Sequence, residues 1–166
     1  MQPSLEPLDA KQYWDLRLEA LDQNPEAFAT SYEEAIQREN PIDGVAKNLT
    51  NEGNFTFGSF KNEELVGVVT LLQETPIKLS HRANILAMYV SPKMRGEGIG
   101  EKLLLEAIEQ AKSINSIEKI NLTVVTTNER AKKLYEKLGF KVFGTEIKAL
   151  KINENYYDED YMVLFL

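Results

Sequence analysis

The stretch MYVSPKMRGEGIGEKLL, residues Met88–Leu104, places three alternating glycines between an apolar run and a segment of helical periodicity. The apolar run predicts a strand that ends at Ser91-Pro92, because proline cannot donate a hydrogen bond to a strand ladder. Glycine costs stability beside a helix unless the backbone needs a conformation or a close approach that a side chain would prevent. The stretch therefore predicts a strand, a tight turn and a helix, whose apolar stripe is Ile99, Leu103, Leu104, Ala107, Ile108 and Ala111.

Two common phosphate-binding motifs do not fit the glycine turn. A P-loop needs Gly-Lys-Ser/Thr where this chain has Glu101-Lys102-Leu103, and a dinucleotide fingerprint needs a third glycine where it has Glu101 or Leu103. What remains is RGEGIG, residues 95–100, leading directly into a helix whose first amides and dipole favour an anion. A pyrophosphate screened by Arg95, with Lys93 or Lys102 as a further cation, is one interpretation. A turn that needs glycine only for its geometry is the other.

Outward from this turn, the pattern predicts a mixed sheet. Between Met88 and Val125 the order is strand, glycine turn, helix and strand (IEKINLTVV), which indicates a βαβ crossover and one parallel pair. NFTFGSFK and LVGVVTLLQ read as an antiparallel hairpin, and FKVFGTEIKALKI and YYDEDYMVLFL as the last two strands. The expected class is α/β (α+β mixed sheet), a central mixed antiparallel/parallel sheet flanked by helices, in a single domain over residues 1–166.

The remaining segments predict shorter elements. SLEPLD reads as a short first strand, and a helix from Ala10 ends at Asn24-Pro25. A second helix is predicted from Pro25, with Phe28, Tyr32 and Ile36 on one face, followed by a loop region marked by NPIDG and TNEG. A last helix is predicted over residues 127–138, closed by Gly139.

Composition and charge limit the classes of function. Hydrophobic residues make up 43% and charged residues 27% of the 166 residues, which is typical of a globular domain. The absence of cysteine and the single histidine argue against disulfides and a metal site, and fit a cytoplasmic location. The net charge of -7 predicts repulsion of nucleic acid and attraction of a cationic small molecule. No apolar run is long enough for a membrane span, and the N-terminus has no signal-peptide pattern.

Two motifs resemble the GCN5-related N-acetyltransferase (GNAT) family. Arg95-x-x-Gly98-x-Gly100 after MYVSP is similar to the family's acyl-CoA pyrophosphate loop. TNERAKKLYEKLGF, residues 127–140, resembles its second signature, Asn-x-x-Ala-x-x-Leu-Tyr-x-x-x-Gly-Phe, in the family's order and at its usual separation. The resemblance covers the chain from about Leu65 to its end, and NPEAFATSYEEA also resembles the second helix of many bacterial members. It implies the GNAT-like acyl-CoA N-acyltransferase fold, with acetyl-CoA as co-substrate.

The resemblance also implies roles for residues on the donor side. The strand ending Met88-Tyr89-Val90 holds the pantetheine arm if it splays from the INLTVV strand, and an N–H of Tyr89 or Val90 serves as the oxyanion donor. Asn128 bonds to the bound donor; its alternative is helix capping, with Thr126 and Glu129 as a competing capping box. The expected cofactor-binding residues are Met88, Tyr89, Val90, Arg95, Gly96, Glu97, Gly98, Ile99, Gly100, Asn128 and Tyr135.

Tyr135 is the expected catalytic residue. It shares one helix face with Ala131, Leu134 and Leu138, so its hydroxyl is expected to point toward the sheet. A phenol can protonate a thiolate at close range, and Tyr135 matches the family's leaving-group acid. From the residues alone, a core tyrosine with a satisfied hydroxyl is the alternative.

The acceptor side carries weaker signals. Since the resemblance places the second helix beside the acceptor, Phe28, Tyr32 and Glu33 are the expected substrate contacts. The candidates for a general base also have structural interpretations, and they are Glu33, Glu34, Glu74, His81 and the cluster Asp158, Glu159 and Asp160.

The expected function is transfer of the acetyl group of acetyl-CoA to a primary amine, of a small molecule or a peptide, by direct attack and without a metal. A non-catalytic acyl-CoA sensor and transfer of a longer acyl group are the alternatives. Nucleic acid and membranes are not expected as partners. A homodimer formed through the late strands is a further expectation.

Overall fold

The computed structural model describes residues 2–166, which form a six-stranded sheet with helices on both faces. The helices are α1 (Ala10–Gln23), α2 (Tyr32–Ile36), α3 (Pro41–Leu49), α4 (Ile99–Ser113) and α5 (Glu129–Lys137). The strands are β1 (Asn54–Lys61), β2 (Glu64–Gln73), β3 (Arg82–Val90), β4 (Lys119–Val125), β5 (Lys141–Ile152) and β6 (Asn155–Phe165). Single 3-10 turns lie at Pro7–Asp9, Pro25–Ala27, Ile77–Leu79 and Pro92–Met94.

The sheet order is β1-β2-β3-β4-β6-β5, and only β3 and β4 are parallel. Helix α4 makes the crossover between these two strands, as the period of its apolar residues predicted. The expected mixed α/β class, with its hairpin at the start and its two antiparallel strands at the end, is confirmed.

Each face of the sheet is covered by an apolar cluster of its own. On one face, α4 and α5 pack in the main core, where Leu103, Leu104 and Ala107 are fully buried and Tyr135 is nearly so. On the other face, Leu16 and Ala20 of α1 pack in a second cluster with strand residues that include Tyr89. The sheet therefore divides the space around α4 and α5 from the space around α1.

Strands β3 and β4 separate soon after they pair. Their register covers only Arg82–Asn84 against Lys119–Asn121, so the later part of β3 has no strand partner on that side. A bulge also interrupts the pairing of β2 with β3 between Val68 and Thr70, where Ala87 has a φ of 53°. The splay that the resemblance required is present.

The first two predictions near the N-terminus were wrong in part. The predicted SLEPLD strand is only an isolated bridge between Ser4 and Phe57, because Pro7 starts a 3-10 turn. The predicted helix from Pro25 is a 3-10 turn that ends at Phe28, whose backbone is extended. A separate helix begins at Tyr32, because Ser31 and Glu34 form a capping box there.

The region predicted as a loop after Ile36 contains helix α3, which is a further correction. Pro41 occupies its first turn, and its apolar residues Val45 and Leu49 pack on the α1 side of the molecule. Gly44 lies inside this short helix, and together with Pro41 it made the sequence pattern resemble that of a turn. Helix α5 begins at Glu129 rather than at residue 127, with Asn128 as its N-cap. Among residues 2–166, no helix has the length and apolar character needed to cross a bilayer.

Candidate active site

A cleft of about 1330 Å³ opens where β3 and β4 part. Its walls include the chain from Leu86 to Val90 on β3 and from Leu122 to Val125 on β4. The lining extends to the glycine turn and the start of α5 on one face of the sheet, and to α1 and Phe28 on the other. A molecule bound at one face can therefore meet a molecule bound at the other through the gap between the strands.

The bulge at Ala87 shapes the strand that lines this gap. Tyr89 pairs with Val68 and Leu86 pairs with Thr70, so two residues of β3, Ala87 and Met88, stand opposite one residue of β2. Beyond Asn84, backbone N–H and C=O groups that would bind β4 in a closed sheet face the cleft. The geometry suits pairing with an extended, amide-containing ligand.

The glycine turn opens onto the same cleft. Gly96 and Gly98 have φ of 86° and 75°, a conformation that side chains rarely adopt, and a methyl group at Gly98 would meet no protein atom within 4 Å. Gly100 is favoured for a different reason, since its Cβ would lie 3.1 Å from Met88 Cε and 3.3 Å from Leu134 Cδ2, which is tight for both side chains. Backbone conformation and close packing therefore both favour glycine here, and the first turn of α4 is left bare toward the cleft.

Two arginines lie beside this turn. Arg95 Nε donates to the Val90 carbonyl oxygen at 3.0 Å, and Arg95 Nη2 donates to Asn24 Oδ1 at 2.8 Å. Arg130 Nη2 lies 4.0 Å from the position that a Cβ at Gly96 would take, and Arg130 also lines the cleft. Sequence reasoning missed Arg130, although its place in the second signature, two residues after Asn128, was a usable signal.

Tyr135 lines the cleft from α5 and is 6% exposed. Its ring packs edge-on against Phe140, with 5.9 Å between the ring centroids. Burial raises the pKa of Tyr135 to about 12, so the hydroxyl is protonated at neutral pH. A buried, protonated phenol in the cleft can donate a hydrogen bond to an atom that develops negative charge.

Asn128 caps α5, because its Oδ1 accepts from the Ala131 N–H at 3.2 Å. The competing Thr126–Glu129 box is not formed; the Thr126 N–H instead donates to the Asp158 carbonyl oxygen at 2.9 Å. Since Asn128 also lines the cleft, its amide Nδ2 can donate to a ligand.

The acetyltransferase (GNAT) family model matches residues 13–140 of the chain. The chain belongs to this family. The family expected from RGEGIG and the Tyr135 signature is thereby confirmed. So is the enzyme class, an acetyl-CoA-dependent N-acetyltransferase.

The curated relatives of this acetyltransferase are named after different acceptors. The L-amino acid N-acetyltransferase AaaT of Escherichia coli (strain K12) is 33% identical over 100 residues, which are 60% of either chain. The spermidine N(1)-acetyltransferase of the same organism is 27% identical over an alignment of 166 positions, which covers 97% of this chain and 84% of that one.

Solved acetyltransferase structures share its fold. One GNAT-family member from Streptococcus pneumoniae has a TM-score of 0.89 at 22% identity, covering 100% of this chain and 99% of that one. The protein yncA of Salmonella typhimurium, solved with its cofactor acetyl-CoA, has a TM-score of 0.85 at 17% identity, covering 100% and 93%. At such identities the likeness concerns the fold.

Most of the predicted donor-side residues of the acetyltransferase lie in the cleft. Glu97 is the exception, because its carboxylate pairs with Lys61 Nζ at 3.2 Å outside the lining. Lys93 and Lys102, suggested as screening cations, are also not part of the lining. The residues that do line it are Met88, Tyr89, Val90, Arg95, Gly96, Gly98, Ile99, Gly100, Asn128 and Tyr135.

The acceptor-side predictions fare less well. Phe28 lines the cleft, whereas Tyr32 and Glu33 lie outside its lining on the separate helix α2. Glu34 is engaged in its capping box, accepting from the Ser31 N–H and Oγ at 3.0 Å each. A continuous helix from Pro25 was expected to bring Tyr32 and Glu33 to the substrate. The chain is instead extended at Phe28, and neither residue reaches the cleft lining.

Most of the other candidates for the general base are already bound to another residue or lie outside the cleft. Glu74 accepts from Asn84 Nδ2 at 2.9 Å, and Asp158 accepts from the Lys148 N–H at 2.7 Å. Asp160 pairs with Lys132 Nζ at 2.6 Å, and His81 is outside the cleft lining. Glu159 alone of the predicted candidates lines the cleft. Burial and the neighbouring Glu146 raise the pKa of Glu159 above its ordinary value.

No group of three metal-ligating side chains occurs within residues 2–166.

Proposed function

We propose that the protein transfers the acetyl group of acetyl-CoA to a primary amine by direct attack of the amine on the thioester. The observation that carries this proposal is the continuity of the cleft across the parted strands β3 and β4, with Tyr135 in its wall. L-amino acids and spermidine, the acceptors named for the two relatives, are both amines. The thioester supplies the activated carbonyl, and no covalent enzyme intermediate is required.

The donor fits the residues on the α4 and α5 face. The bare amides of the glycine turn, with Arg130 beside them, suit the pyrophosphate. The free edge of β3 from Met88 to Val90 suits the amide groups of the pantetheine arm. An N–H of this edge near Tyr89 or Val90 would stabilise the oxyanion, a contribution of about 3 kcal/mol to the barrier.

Each turnover moves one proton from the acceptor nitrogen to the departing sulfur. Glu159 is the proposed proton acceptor, because its raised pKa makes it a stronger base than an ordinary carboxylate. Tyr135, with its pKa of about 12, holds its proton more tightly than a thiol of pKa about 8.5, so outright transfer would cost about 5 kcal/mol. Tyr135 therefore donates a hydrogen bond to the thiolate as the C–S bond breaks. Its proton passes to the sulfur and is replaced by the amine proton that Glu159 releases, so that both residues regain their starting protonation states.

The test is release of CoA thiol from acetyl-CoA in the presence of a panel of primary amines. We expect amine-dependent release, and we expect Tyr135→Phe to lower kcat by about 10² with little change in the KM for acetyl-CoA. Tyr156→Phe, which alters an exposed tyrosine on β6, is the matched control. Equal kcat for Tyr135→Phe and the unchanged protein would remove Tyr135 from the mechanism.

The same assay separates the alternatives. Tight CoA binding without thiol release for any amine would favour an acyl-CoA sensor. Faster transfer from propionyl- or succinyl-CoA than from acetyl-CoA would favour a longer acyl group. A cytoplasmic location, a homodimer and the absence of nucleic-acid and membrane partners stay predictions from the sequence.

A further inference from the structure

The acceptor end of the cleft carries two arginines that form no ion pair within 4.0 Å among residues 2–166. Arg17 on α1 and Arg38, just after α2, both line the cleft on the face of the sheet opposite α4. The ion pairs within residues 2–166 include neither guanidinium. Unpaired arginines inside a cleft are suited to bind an anion, because the guanidinium offers five N–H donors in a planar fork.

Arg17 is held in place by its neighbours. Its guanidinium carbon lies 4.5 Å from the centroid of the Phe28 ring, and Tyr13 stands one turn before it on α1. Burial lowers the pKa of Arg17, and the nearby positive charge of Arg38 lowers it further, against an opposing effect of Tyr13. Arg17 is partly desolvated and carries the same charge as the exposed Arg38, so an anion between them would relieve their repulsion.

The floor beneath these arginines is polar and uncharged. Thr56 Oγ1 and Thr70 Oγ1 are buried and lie 2.8 Å apart, satisfying each other. Of the acids in the cleft lining, Glu101 is paired with Lys137, which leaves Glu26 and Glu159. Neither Glu26 nor Glu159 lies within 4.0 Å of a guanidinium of Arg17 or Arg38. Within the described residues, neither guanidinium therefore forms an ion pair with a carboxylate; the nearest charge effect is that of Glu34, four residues before Arg38, which partly offsets the charge of Arg38.

We propose that the acceptor is an amine that also carries a carboxylate, and that Arg17 and Arg38 bind this carboxylate and set the specificity. The proposal rests on the proposed amine acetylation and narrows its substrate class. A polyamine would bring further positive charges toward two arginines and be repelled at short range. The net charge of -7 favours cations only on average, because charges beyond about 10 Å are screened at ordinary salt.

The first experiment compares kcat/KM for matched amines with the full-length protein. The panel pairs L-alanine, L-methionine, L-phenylalanine and 4-aminobutyrate with their carboxamides, and adds spermidine, a dipeptide and 1-aminoethylphosphonate. We expect the best carboxylate to exceed its carboxamide by about tenfold to a hundredfold, as for a charge-assisted bidentate contact. The dipeptide separates a free amino acid from a peptide, and the phosphonate separates a carboxylate from a phosphate-like group.

The second experiment removes the charges one at a time. We expect Arg17→Gln and Arg38→Gln to lower kcat/KM for the carboxylate by about tenfold or more, and Arg17→Lys to recover part of the loss. Transfer to the carboxamide should stay within about threefold, which a general loss of folding would not allow. Lys11→Gln, on the exposed side of α1, is the matched control and should leave both rates unchanged.

The proposal is overturned if a carboxamide or spermidine is acetylated as fast as the best carboxylate. It is also overturned if the preference survives in both Gln variants, or if the phosphonate alone is accepted. If no amine causes thiol release, the proposed acetylation is wrong. The anion site is then tested separately, by calorimetric titration of the amino acids into the CoA-saturated protein. Binding that Arg17→Gln abolishes would support the anion site, and no binding would overturn it.

Discussion

Arg95 Nη2 donates a 2.8 Å hydrogen bond to Asn24 Oδ1, across 71 residues of sequence. The same guanidinium holds the Val90 carbonyl oxygen through Nε, so it joins the end of α1 to the end of β3. Arg95 also lies over the Tyr89 ring, 5.7 Å from its centroid. A residue expected to screen a pyrophosphate thus also positions the glycine turn against the end of α1.

Asn24→Ala tests this positioning role. Because Arg95 would lose one partner, we expect the free energy of unfolding to fall by about 1–3 kcal/mol, and the KM for acetyl-CoA to rise in the same direction as in Arg95→Ala. Denaturant titration and steady-state kinetics measure the two effects. A large rise in KM for Arg95→Ala with none for Asn24→Ala would mean that Arg95 contacts the donor directly.

Arg130→Gln is expected to weaken acetyl-CoA binding. Its guanidinium lies beside Gly96 at the mouth of the glycine turn, so its loss should raise the Kd for CoA by about tenfold and reduce the salt dependence of binding. Lys133→Gln, on the same helix but outside the cleft lining, is the control. Calorimetry at two salt concentrations measures both variants, and equal Kd values would exclude Arg130 from the donor site.

Gly98→Ala and Gly44→Ala are expected to act in opposite directions. Gly98 has a φ of 75°, so alanine should destabilise by about 1 kcal/mol and place a methyl group in the open space of the cleft, raising the KM for acetyl-CoA. Gly44 lies inside helix α3 with open space around it, so alanine should stabilise by about 0.5–1 kcal/mol and leave the KM unchanged. Thermal unfolding and kinetics together check both signs.

The pKa of Tyr135 predicts a loss of stability at alkaline pH. Since the folded pKa is about 12 and the unfolded value about 10, the full stabilisation is present below pH 10 and is lost as pH rises toward 12. Over that window the unfolded state loses a proton that the folded state keeps, a slope of about 1.4 kcal/mol per pH unit. Tyr135→Phe should lower the slope of unfolding free energy against pH by this amount. Equal slopes would show that the hydroxyl is solvated in the folded protein.

The elements with a strong periodic pattern of apolar residues were predicted correctly. The helical stripe of α4 and the two-residue period of the β1–β2 hairpin each specify one buried face, so these elements formed as expected. The second helix was misread because apolar spacing was followed through Phe28, although the Ser31 and Glu34 capping box gave a local start signal. Helix α3 was missed because it is short and contains Gly44, and the packing of Val45 and Leu49 is what stabilises it.

The candidate site divides in the same way. The glycine turn and Tyr135 belong to continuous motifs, so the sequence itself determined the family and predicted most of the cleft lining on the α4 and α5 face. The bulge at Ala87 had no sequence signal, because it depends on how β2 and β3 pair.

The residues at the α1 end of the cleft were decided by the tertiary structure. Arg17 lies on α1 and Arg38 just after α2, and both line the cleft because α1 and α2 pack together. An acidic chain thereby places two arginines in its cleft, and the tertiary structure decides this because the local field depends on which side chains lie within a few ångströms rather than on the total charge.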